Sequence, residues 1–327
     1  MKSDKVMLFI LVIILGLLGV LLYGSEKMRE MFEGGRVLVS YAYYEKNTPR
    51  HNKNLEFFLK EGYERFRNFK NVDIYLCLNG GKCNVNLPDE TENFKIVRRG
   101  NTGFDFGAHE DVLNIVISKY GSLDKSPYST YVFLNGSQRG PFLPVYWRPD
   151  VHWSTVFSDK FKTAGLVGSC KFFNVKDKID TVETWAFALR PDALKIAIDN
   201  GTIFRQHPTK ESACVAEDDL TRVILNSKLG IDTLQLKFAR DKSSKNNYKI
   251  SSRPWSYENI SINPLETVFY KTYWDTALNS ENGYDCPFEQ RYTEWILGGN
   301  KEYETDVFPL YKLWNNKLVK IISNINK

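Results

Sequence analysis

Short apolar runs alternate with segments of helical periodicity through the central part of the chain. The strand-like runs are rich in β-branched and aromatic side chains and occupy residues 36–45, 72–80, 94–99 and 131–137. Helical periodicity marks residues 54–69 and 108–121 between them. This alternation predicts an α/β fold with a mostly parallel sheet flanked by helices. Ligands of such sheets gather at the carboxyl ends of the strands, so the turns after strands are the first places to look for chemistry.

The first apolar run has a different character, because it is long enough to cross a bilayer. Residues 6–24 contain no charge and follow Lys2 and Lys5, which predicts a transmembrane helix. A cleavable signal peptide is the alternative, but the run is long for one and residues 22–24 form a poor cleavage site. We therefore expect an uncleaved signal anchor in a single-pass type II protein, with the domain on the lumenal side as in the ER or Golgi.

The anchor prediction divides the chain into five parts. They are a short tail (residues 1–5), the transmembrane helix (6–24), a stem (25–35), a globular domain (36–271) and a helical C-terminal extension packed on that domain (272–327). Residues 240–254 are polar and poorly patterned, which predicts a surface loop. Residues 311–325 have the apolar periodicity of a helix.

Composition places the chain among folded globular proteins. Its 327 residues are 43% hydrophobic and 14% aromatic, which is enough to bury a large core. The net charge of +5 is modest and the basic residues are scattered, which argues against nucleic acid as a partner. The five cysteines form no Cys-x-x-Cys pair and only four histidines are present, so the spacing of a structural zinc site is lacking.

Three consecutive acids stand out in the segment AEDDLTRVILNSKLG (residues 216–230). Glu217, Asp218 and Asp219 precede apolar positions of helical period, so the pattern predicts acids at the start of an amphipathic helix. A carboxylate held there is a candidate catalytic base. The simpler interpretation is that acids in a first turn complement the helix dipole and cap free N–H groups.

The turn NTGFDFGAH (residues 101–109) follows the third strand-like run. Gly103 and Gly107 allow a ligand to approach the backbone closely, and Asp105 can accept hydrogen bonds from ribose or sugar hydroxyls. These features indicate a nucleotide subsite. A tight strand-to-helix connection is the alternative, with glycine for its geometry and Asp as a cap.

A second turn, FLNGSQRGPFLP (residues 133–144), ends the fourth run with Asn135, Gly136 and Ser137. Arg139 follows this turn, and its planar guanidinium suits the oxygens of a diphosphate. A surface salt bridge is the ordinary use of such an arginine. Both interpretations stay open at this point.

These motifs, taken in order, resemble the GT-A fold of nucleotide-sugar glycosyltransferases. Asn101 and Gly103 match the Asn-x-Gly segment of family-two transferases, and residues 217–220 resemble their Glu-Asp and Asp-Leu near the acceptor site. Together with NPLETVFYK (residues 263–271), the two turns look like the glycosyltransferases grouped with rhamnan synthesis protein F and related capsular polysaccharide proteins. The resemblance covers roughly residues 36–271 and implies a GT-A-like, Rossmann-like α/β domain.

The resemblance implies a membrane-anchored transferase that moves a hexosyl or deoxyhexosyl unit from a nucleoside-diphosphate sugar to a glycan or polysaccharide hydroxyl, with inversion. Asp218 is the first candidate for the base by its match to the second acid of the motif, with Glu217 and Asp219 as alternates. The implied donor contacts are Asn101, Gly103, Asp105, Gly107, Asn135, Ser137 and Arg139. Aromatic surfaces for the acceptor come from His152, Trp153 and Trp185, with core packing as the alternative.

One departure from the resemblance concerns the metal. Metal-dependent members of the fold end the central strand in Asp-x-Asp, which holds Mn²⁺ or Mg²⁺ on the diphosphate, whereas this chain has Asn135-Gly136-Ser137. One interpretation is that Asp105 and His207 help to hold a divalent ion. Another is that Arg139 and backbone amides neutralise the diphosphate. The third is that the domain is a non-catalytic glycan- or nucleotide-binding membrane protein.

Overall fold

The computed structural model describes residues 35–46, 49–174, 177–235, 263–272 and 287–298. The strands are β1 (Arg36–Tyr44), β2 (Val72–Asn79), β3 (Phe94–Arg99), β4 (Tyr128–Asn135), β5 (Gln138–Arg139), β6 (Leu166–Gly168), β7 (Lys171–Asn174), β8 (Ile179–Val182), β9 (Ala186–Leu189), β10 (Ile231–Thr233) and β11 (Tyr270–Lys271). The α-helices are α1 (Pro49–Phe57), α2 (Phe104–Tyr120), α3 (Thr155–Ser158), α4 (Pro191–Asp199), α5 (Lys210–Asn226), α6 (Pro264–Thr267) and α7 (Pro287–Leu297).

Seven of these strands form one central sheet in the order β10-β6-β9-β4-β1-β2-β3. β1 pairs parallel with β2 and β4, β2 pairs parallel with β3, and β10 pairs parallel with β6. β9 runs antiparallel to both of its neighbours, β4 and β6. The prediction of an α/β fold with a mostly parallel sheet is therefore confirmed. The antiparallel β9 is a feature that the alternation of segments did not predict.

Both faces of the sheet are buried, and successive residues of β1 serve opposite faces. Val39, Tyr41 and Tyr43 belong to one apolar cluster, while Leu38 and Ala42 belong to the other. An uninterrupted apolar run is what a strand buried on both faces requires. Burying one such side chain contributes roughly 1.5–3 kcal/mol, so the centre of the sheet is a firm support for the residues at its edge.

The helix predicted at residues 54–69 is divided among three kinds of turn. After α1 the chain forms a π-helix at Phe58–Tyr63 and a 3₁₀ turn at Glu64–Phe66. Gly62 makes the wide turn compatible with packing, because a Cβ there would lie 2.7 Å from the Phe58 ring. Apolar periodicity predicts which face is buried, but it does not predict this local change in the number of residues per turn.

The membrane-anchored architecture predicted from the N-terminal apolar run is corrected. Within the described ranges, no helix is both long and apolar enough to cross a bilayer. The two longest helices there, α2 and α5, have 17 residues each, whereas a span needs about 20 apolar residues. Residues 6–24, on which the prediction was based, lie outside the described part of the chain. We therefore withdraw the transmembrane helix and the single-pass, lumenal assignment.

The described part of the C-terminal region is tied to the rest of the domain. β11 pairs antiparallel with β5. Tyr292 of α7 packs against Phe57 and Phe142, with ring centroids 6.5 and 5.7 Å apart. The loop predicted at residues 240–254 and the helix predicted at residues 311–325 lie outside the described residues.

Candidate functional site

The strand order reverses at β1, and the carboxyl edge at this switch point is where a ligand crevice is expected. From β1 the chain crosses to β2 and β3 on one side, and it then returns to β4 on the other side of β1. At such a switch point the connections leave in opposite directions, and ligand pockets form between them. The turns at residues 101–109 and 133–144 both lie along this edge, because they follow β3 and β4.

Asp105 and the turn after β4 are joined by hydrogen bonds. Asn135 Nδ2 donates to Asp105 Oδ2 over 2.9 Å. Asn135 Oδ1 in turn accepts from the Ser137 hydroxyl over 2.6 Å and from the Ser137 N–H over 3.1 Å. The other oxygen of Asp105 accepts from the Phe106 N–H over 3.0 Å at the start of α2. The structure therefore brings three of the predicted donor contacts, Asp105, Asn135 and Ser137, into one hydrogen-bonded unit.

The turn after β4 is itself supported from three elements. The Gly136 N–H donates to the Ala42 carbonyl of β1 over 2.8 Å. Asn54 Nδ2 of α1 donates to the Gly136 carbonyl over 2.9 Å. Thr272, the residue after β11, donates from its N–H to the Ser137 carbonyl over 2.9 Å. Support of this kind holds the polar atoms of a site in place before a ligand arrives.

The acid cluster lies in the middle of α5, not at its start as predicted. The helix begins at Lys210 and is capped by Thr209, whose hydroxyl accepts from the Ser212 N–H over 3.2 Å. This capping box lies upstream of residues 216–230, where the apolar periodicity is most evident. The interpretation of the acids as first-turn caps is therefore wrong as well, because the first turn is elsewhere.

The surroundings of Glu217 change its acid–base chemistry strongly. Burial, as the main cause, raises its pKa to about 8, and the charge of Asp105 is the next largest influence in that direction. Glu183 and Asp218 add to the effect, while the ammonium group of Lys271 opposes it. The pKa therefore lies near neutrality, which is the range suited to a general base.

Asp219 belongs to a different group of charges. Its Oδ1 accepts from Arg222 Nη1 over 2.6 Å, and Arg222 Nε lies 3.3 Å from Asp177 Oδ2. Two residues along a helix correspond to about 200° of rotation, so Asp219 lies on the side of α5 away from Glu217. Asp218 lies between them in sequence and contributes its charge to the raised pKa of Glu217.

Lys271 is a functional candidate that the sequence analysis did not single out. It ends β11, and the antiparallel ladder with β5 places it opposite Gln138, the residue after Ser137. Its charge is the main influence that lowers the pKa of Glu217. The sequence did offer an indication of Lys271, because it is the last residue of the NPLETVFYK segment. Its proximity to Glu217, however, depends on the pairing of two very short strands.

The space over the two glycines of the 101–109 turn is occupied by Gln206. A Cβ at Gly103 would lie 2.4 Å from Gln206 Oε1, and a Cβ at Gly107 would lie 2.8 Å from the same atom. Gly103 also has a φ of +70°, a left-handed conformation that favours glycine. In this structure the glycines therefore make room for a side chain of the protein itself, not for a nucleotide.

Gln206 is held in a network that includes Arg99. Gln206 Nε2 donates to the Gly107 carbonyl over 3.0 Å, and its Oε1 accepts from Arg99 Nη2 over 2.7 Å. Arg99 also donates to Asn79 Oδ1 over 2.6 Å and to Asp111 Oδ2 over 2.5 Å. Sequence reasoning missed both Arg99 and Gln206, because 107 positions separate them and neither lies in a recognisable motif.

The rim of the crevice carries Asn101 and Phe104. Asn101 is exposed, and its Cβ lies 3.7 Å from the point that a Cβ at Gly80 would occupy. Phe104 is 40% exposed and has a φ of +58°. A bulky residue in this conformation is strained, and such strain is concentrated at functional sites. The predicted contact Asn101 therefore lies at the open side of the crevice, beside an aromatic residue that packing alone does not explain.

Arg139, predicted as a diphosphate ligand or a surface ion-pair residue, is instead buried. Only 4% of it is exposed. Its Nε donates to Asn54 Oδ1 over 2.9 Å, and its Nη1 donates to Thr293 Oγ1 over 3.1 Å. Arg139 thus connects β5 with α1 and α7. A guanidinium held inside the fold in this way acts as a structural group.

The three predicted acceptor aromatics are core residues. Trp153 is fully buried and donates from Nε1 to the Gly62 carbonyl over 2.9 Å. His152 is buried beside it, near the amino ends of the strands, and burial lowers its pKa to about 3. Trp185 is 2% exposed and lies at the carboxyl edge, where its carbonyl accepts from the Asn135 N–H over 3.0 Å. The core-packing alternative therefore describes all three residues.

The predicted metal ligands Asp105 and His207 are both engaged in local contacts. His207 is buried, and its Nε2 lies 2.9 Å from the Ile203 carbonyl. Across the part of the chain that the structure describes, no group of three or more His, Cys, Asp or Glu side chains is arranged to hold a metal ion. The site that the geometry supports consists of Asp105, Asn135, Ser137, Glu183, Glu217, Asp218 and Lys271.

No family model matches this chain, and no curated protein matches it. The geometry and charges of the carboxyl edge are therefore the basis for a function.

Proposed function

We propose that the protein is a glycosyltransferase that moves a sugar from a nucleoside-diphosphate donor to a hydroxyl of a glycan acceptor. The observation that carries the proposal is Glu217, a partly buried carboxylate with a pKa of about 8 in the crevice beside Asp105. A carboxylate tuned in this way at a switch point of an α/β sheet is a candidate base in a ligand site. The resemblance of the sequence motifs to GT-A glycosyltransferases supports the same chemistry.

Glu217 is the base in this proposal, in preference to Asp218. When deprotonated, its carboxylate takes the proton of the acceptor hydroxyl. The oxygen that loses the proton forms a bond to the anomeric carbon of the donor sugar. The bond from that carbon to the diphosphate oxygen breaks, and its electron pair leaves with the nucleoside diphosphate. A single displacement of this kind inverts the anomeric carbon.

Asp105 has a positioning role for the donor. Asn135 and the Phe106 N–H each occupy one lone pair of its carboxylate. The remaining lone pairs can accept from ribose or sugar hydroxyls. The donor then lies between Asp105 and the rim residues Asn101 and Phe104.

The test is turnover of a panel of uridine-, guanosine- and thymidine-diphosphate sugars by the full-length chain, with and without Mn²⁺. Release of the nucleoside diphosphate is measured for the wild type and for Glu217→Gln. Glutamine keeps the size and polarity of the side chain but takes no proton, so we expect kcat to fall by roughly 10²- to 10⁴-fold.

Glu211→Gln is the matched control, because it makes the same chemical change at an exposed position of the first turn of α5. It should leave turnover unchanged. Normal turnover in Glu217→Gln together with lost turnover in Asp218→Asn would move the base to Asp218. If the wild type neither binds nor consumes any donor of the panel, the transferase proposal is wrong.

A nucleotide- or glycan-binding protein without turnover is the second candidate. Two observations favour it: Asn135-Gly136-Ser137 stands where metal-dependent transferases have carboxylates, and a pKa of about 8 leaves most of Glu217 protonated at neutral pH. Binding of a nucleoside diphosphate without consumption of its sugar derivative at pH 9, where Glu217 is ionised, would select this candidate.

A further inference from the structure

We propose that Lys271 binds the diphosphate group of the donor and of the leaving nucleoside diphosphate. The inference rests on the proposed function and adds to it the cation that the diphosphate requires. Arg139 does not fill this role, because its guanidinium is buried in contacts with Asn54 and Thr293.

The β5–β11 ladder places Lys271 at the polar end of β4. Lys271 pairs with Gln138, and the next residue, Thr272, donates from its N–H to the Ser137 carbonyl over 2.9 Å. Successive side chains of a strand point to opposite sides. Tyr270 is buried, with 4% exposed, so Lys271 lies on the other, more open side, where it is partly exposed. Its charge acts on Glu217, so its ammonium group faces the same region as that carboxylate.

Lys271 also offsets part of the negative charge in the crevice. The carboxylates of Asp105, Glu183 and Asp218 all act on Glu217 there. A diphosphate next to these groups is repelled unless a cation faces it. Lys271 is the cation that opposes these three acids at Glu217, so a diphosphate bound to it lies close to the proposed base. An ammonium–phosphate contact is a charge-assisted hydrogen bond, which is stronger than a neutral one.

The same contact favours the chemical step. When the bond between the anomeric carbon and the diphosphate oxygen breaks, negative charge grows on that oxygen. A fixed cation stabilises this charge more in the transition state than in the bound donor. The acceptor proton goes to Glu217.

The experiment is calorimetric titration of the full-length chain with uridine, guanosine and thymidine diphosphates and with the corresponding nucleosides. Lys271→Met keeps the length of the side chain and removes its charge. We expect Kd for the diphosphate that the wild type binds to rise roughly 10- to 100-fold, with Kd for the parent nucleoside unchanged. Lys271→Arg keeps the charge and should recover most of the affinity.

Lys160→Met is the matched control, because Lys160 pairs with Asp232 over 3.0 Å away from the crevice. It should bind the diphosphate like the wild type. Thermal unfolding of each variant checks that the fold is retained. If Lys271→Met does not fold, Lys271→Gln and Lys271→Arg take its place, and the difference in Kd between these two decides.

Failure of this inference and failure of the proposed function give different results. If the wild type binds a nucleoside diphosphate and Lys271→Met binds it equally well, Lys271 is not the ligand and the transferase proposal stands. If the affinity depends on Lys271 but no donor is consumed, the diphosphate site is correct and the protein binds without turnover. If the wild type binds no nucleoside diphosphate, both proposals are wrong.

Discussion

Two acidic side chains near opposite edges of the same sheet have opposite surroundings. Asp73, near the amino end of β2, is 5% exposed and accepts from Arg36 over 2.6 and 3.1 Å, from Asn93 over 2.6 Å and from Tyr128 over 2.6 Å. Glu217, at the carboxyl edge, has three carboxylates and the ammonium group of Lys271 as its charged neighbours. A carboxylate whose oxygens are all hydrogen-bonded stabilises the fold. One that is buried among like charges is tuned for proton transfer.

The residues that line a cavity at the amino edge resemble Asp73 in their surroundings. A cavity of about 740 Å³ lies at the amino edge, where Arg36, Pro127 and His152 are among its lining residues. Arg36 is paired with Asp73, and His152 has a pKa lowered to about 3 by burial. Arg36 and His152 are thus already paired or neutral. The state of these two groups distinguishes the amino edge from the surroundings of Glu217.

The pH dependence of turnover gives the largest expected effect. The pKa of Glu217 is raised to about 8 by burial and by Asp105, so the base is protonated at lower pH. We expect kcat/KM to rise nearly tenfold per pH unit well below pH 8 and to level off above it, which is about 50-fold from pH 6 to pH 8. A profile that is flat from pH 6 to pH 9 would contradict Glu217 as the base.

The pH dependence of the free energy of unfolding measures the same pKa independently of turnover. Because the folded-state pKa of Glu217 lies above the ordinary glutamate value of 4.5, its favourable contribution is complete below pH 4.5 and is lost as the pH rises through 8. Wild type should therefore lose stability relative to Glu217→Gln between pH 5 and pH 8, by up to about 1.4 kcal/mol per unit. Urea unfolding of both proteins at several pH values measures this difference.

Removal of the paired acid should affect stability and not chemistry. Asp73→Ala leaves the donors of Arg36, Asn93 and Tyr128 without their acceptor, so we expect a loss of about 2–3 kcal/mol in the free energy of unfolding. Turnover per folded molecule should stay normal, because Asp73 lies near the other edge of the sheet. A variant as stable as the wild type, or one that is folded but inactive, would break the comparison between the two edges.

The smallest expected effect concerns the glycine turn beside the site. Gly103→Ala strains a backbone with φ +70° and brings a Cβ to 2.4 Å from Gln206 Oε1, so we expect a loss of about 1–2 kcal/mol. Gln206→Ala in the same chain removes the close contact and should recover part of that loss. Full stability of Gly103→Ala alone would show that Gln206 moves away at no cost. Urea unfolding of the two single variants and the double variant measures each contribution.

The pattern of apolar residues over short stretches of the sequence predicted the strands closely. The strands expected at residues 36–45, 72–80 and 94–99 are β1, β2 and β3 within one residue at each end. Strand periodicity is a property of neighbouring side chains, and both faces of this sheet are buried, so the apolar runs mark the strands directly. The turns that follow β3 and β4 were also predicted, and the first of them supplies Asp105 to the site.

Predictions about residues whose neighbours come from distant parts of the sequence were less accurate. Arg139, Trp153 and Trp185 were candidates for ligand contacts, with a surface salt bridge or core packing as the alternatives, and neighbours from other segments bury all three. Gly103 and Gly107 were assigned to a nucleotide, yet Gln206 fills the space above them. A residue type indicates what a side chain is able to do. Its use depends on what the fold places against it.

The sequence by itself determined the alternating α/β architecture, the turns at the carboxyl edge and the presence of three acids on one helix. Only the tertiary structure decided which of those acids is tuned, because the pKa of Glu217 depends on Asp105, Glu183 and Lys271 from three other segments. Burial and charge at one atom are sums over all its neighbours in space. Periodicity along the chain reports on neighbours in sequence alone, so it predicts the elements but not the chemistry that arises where they meet.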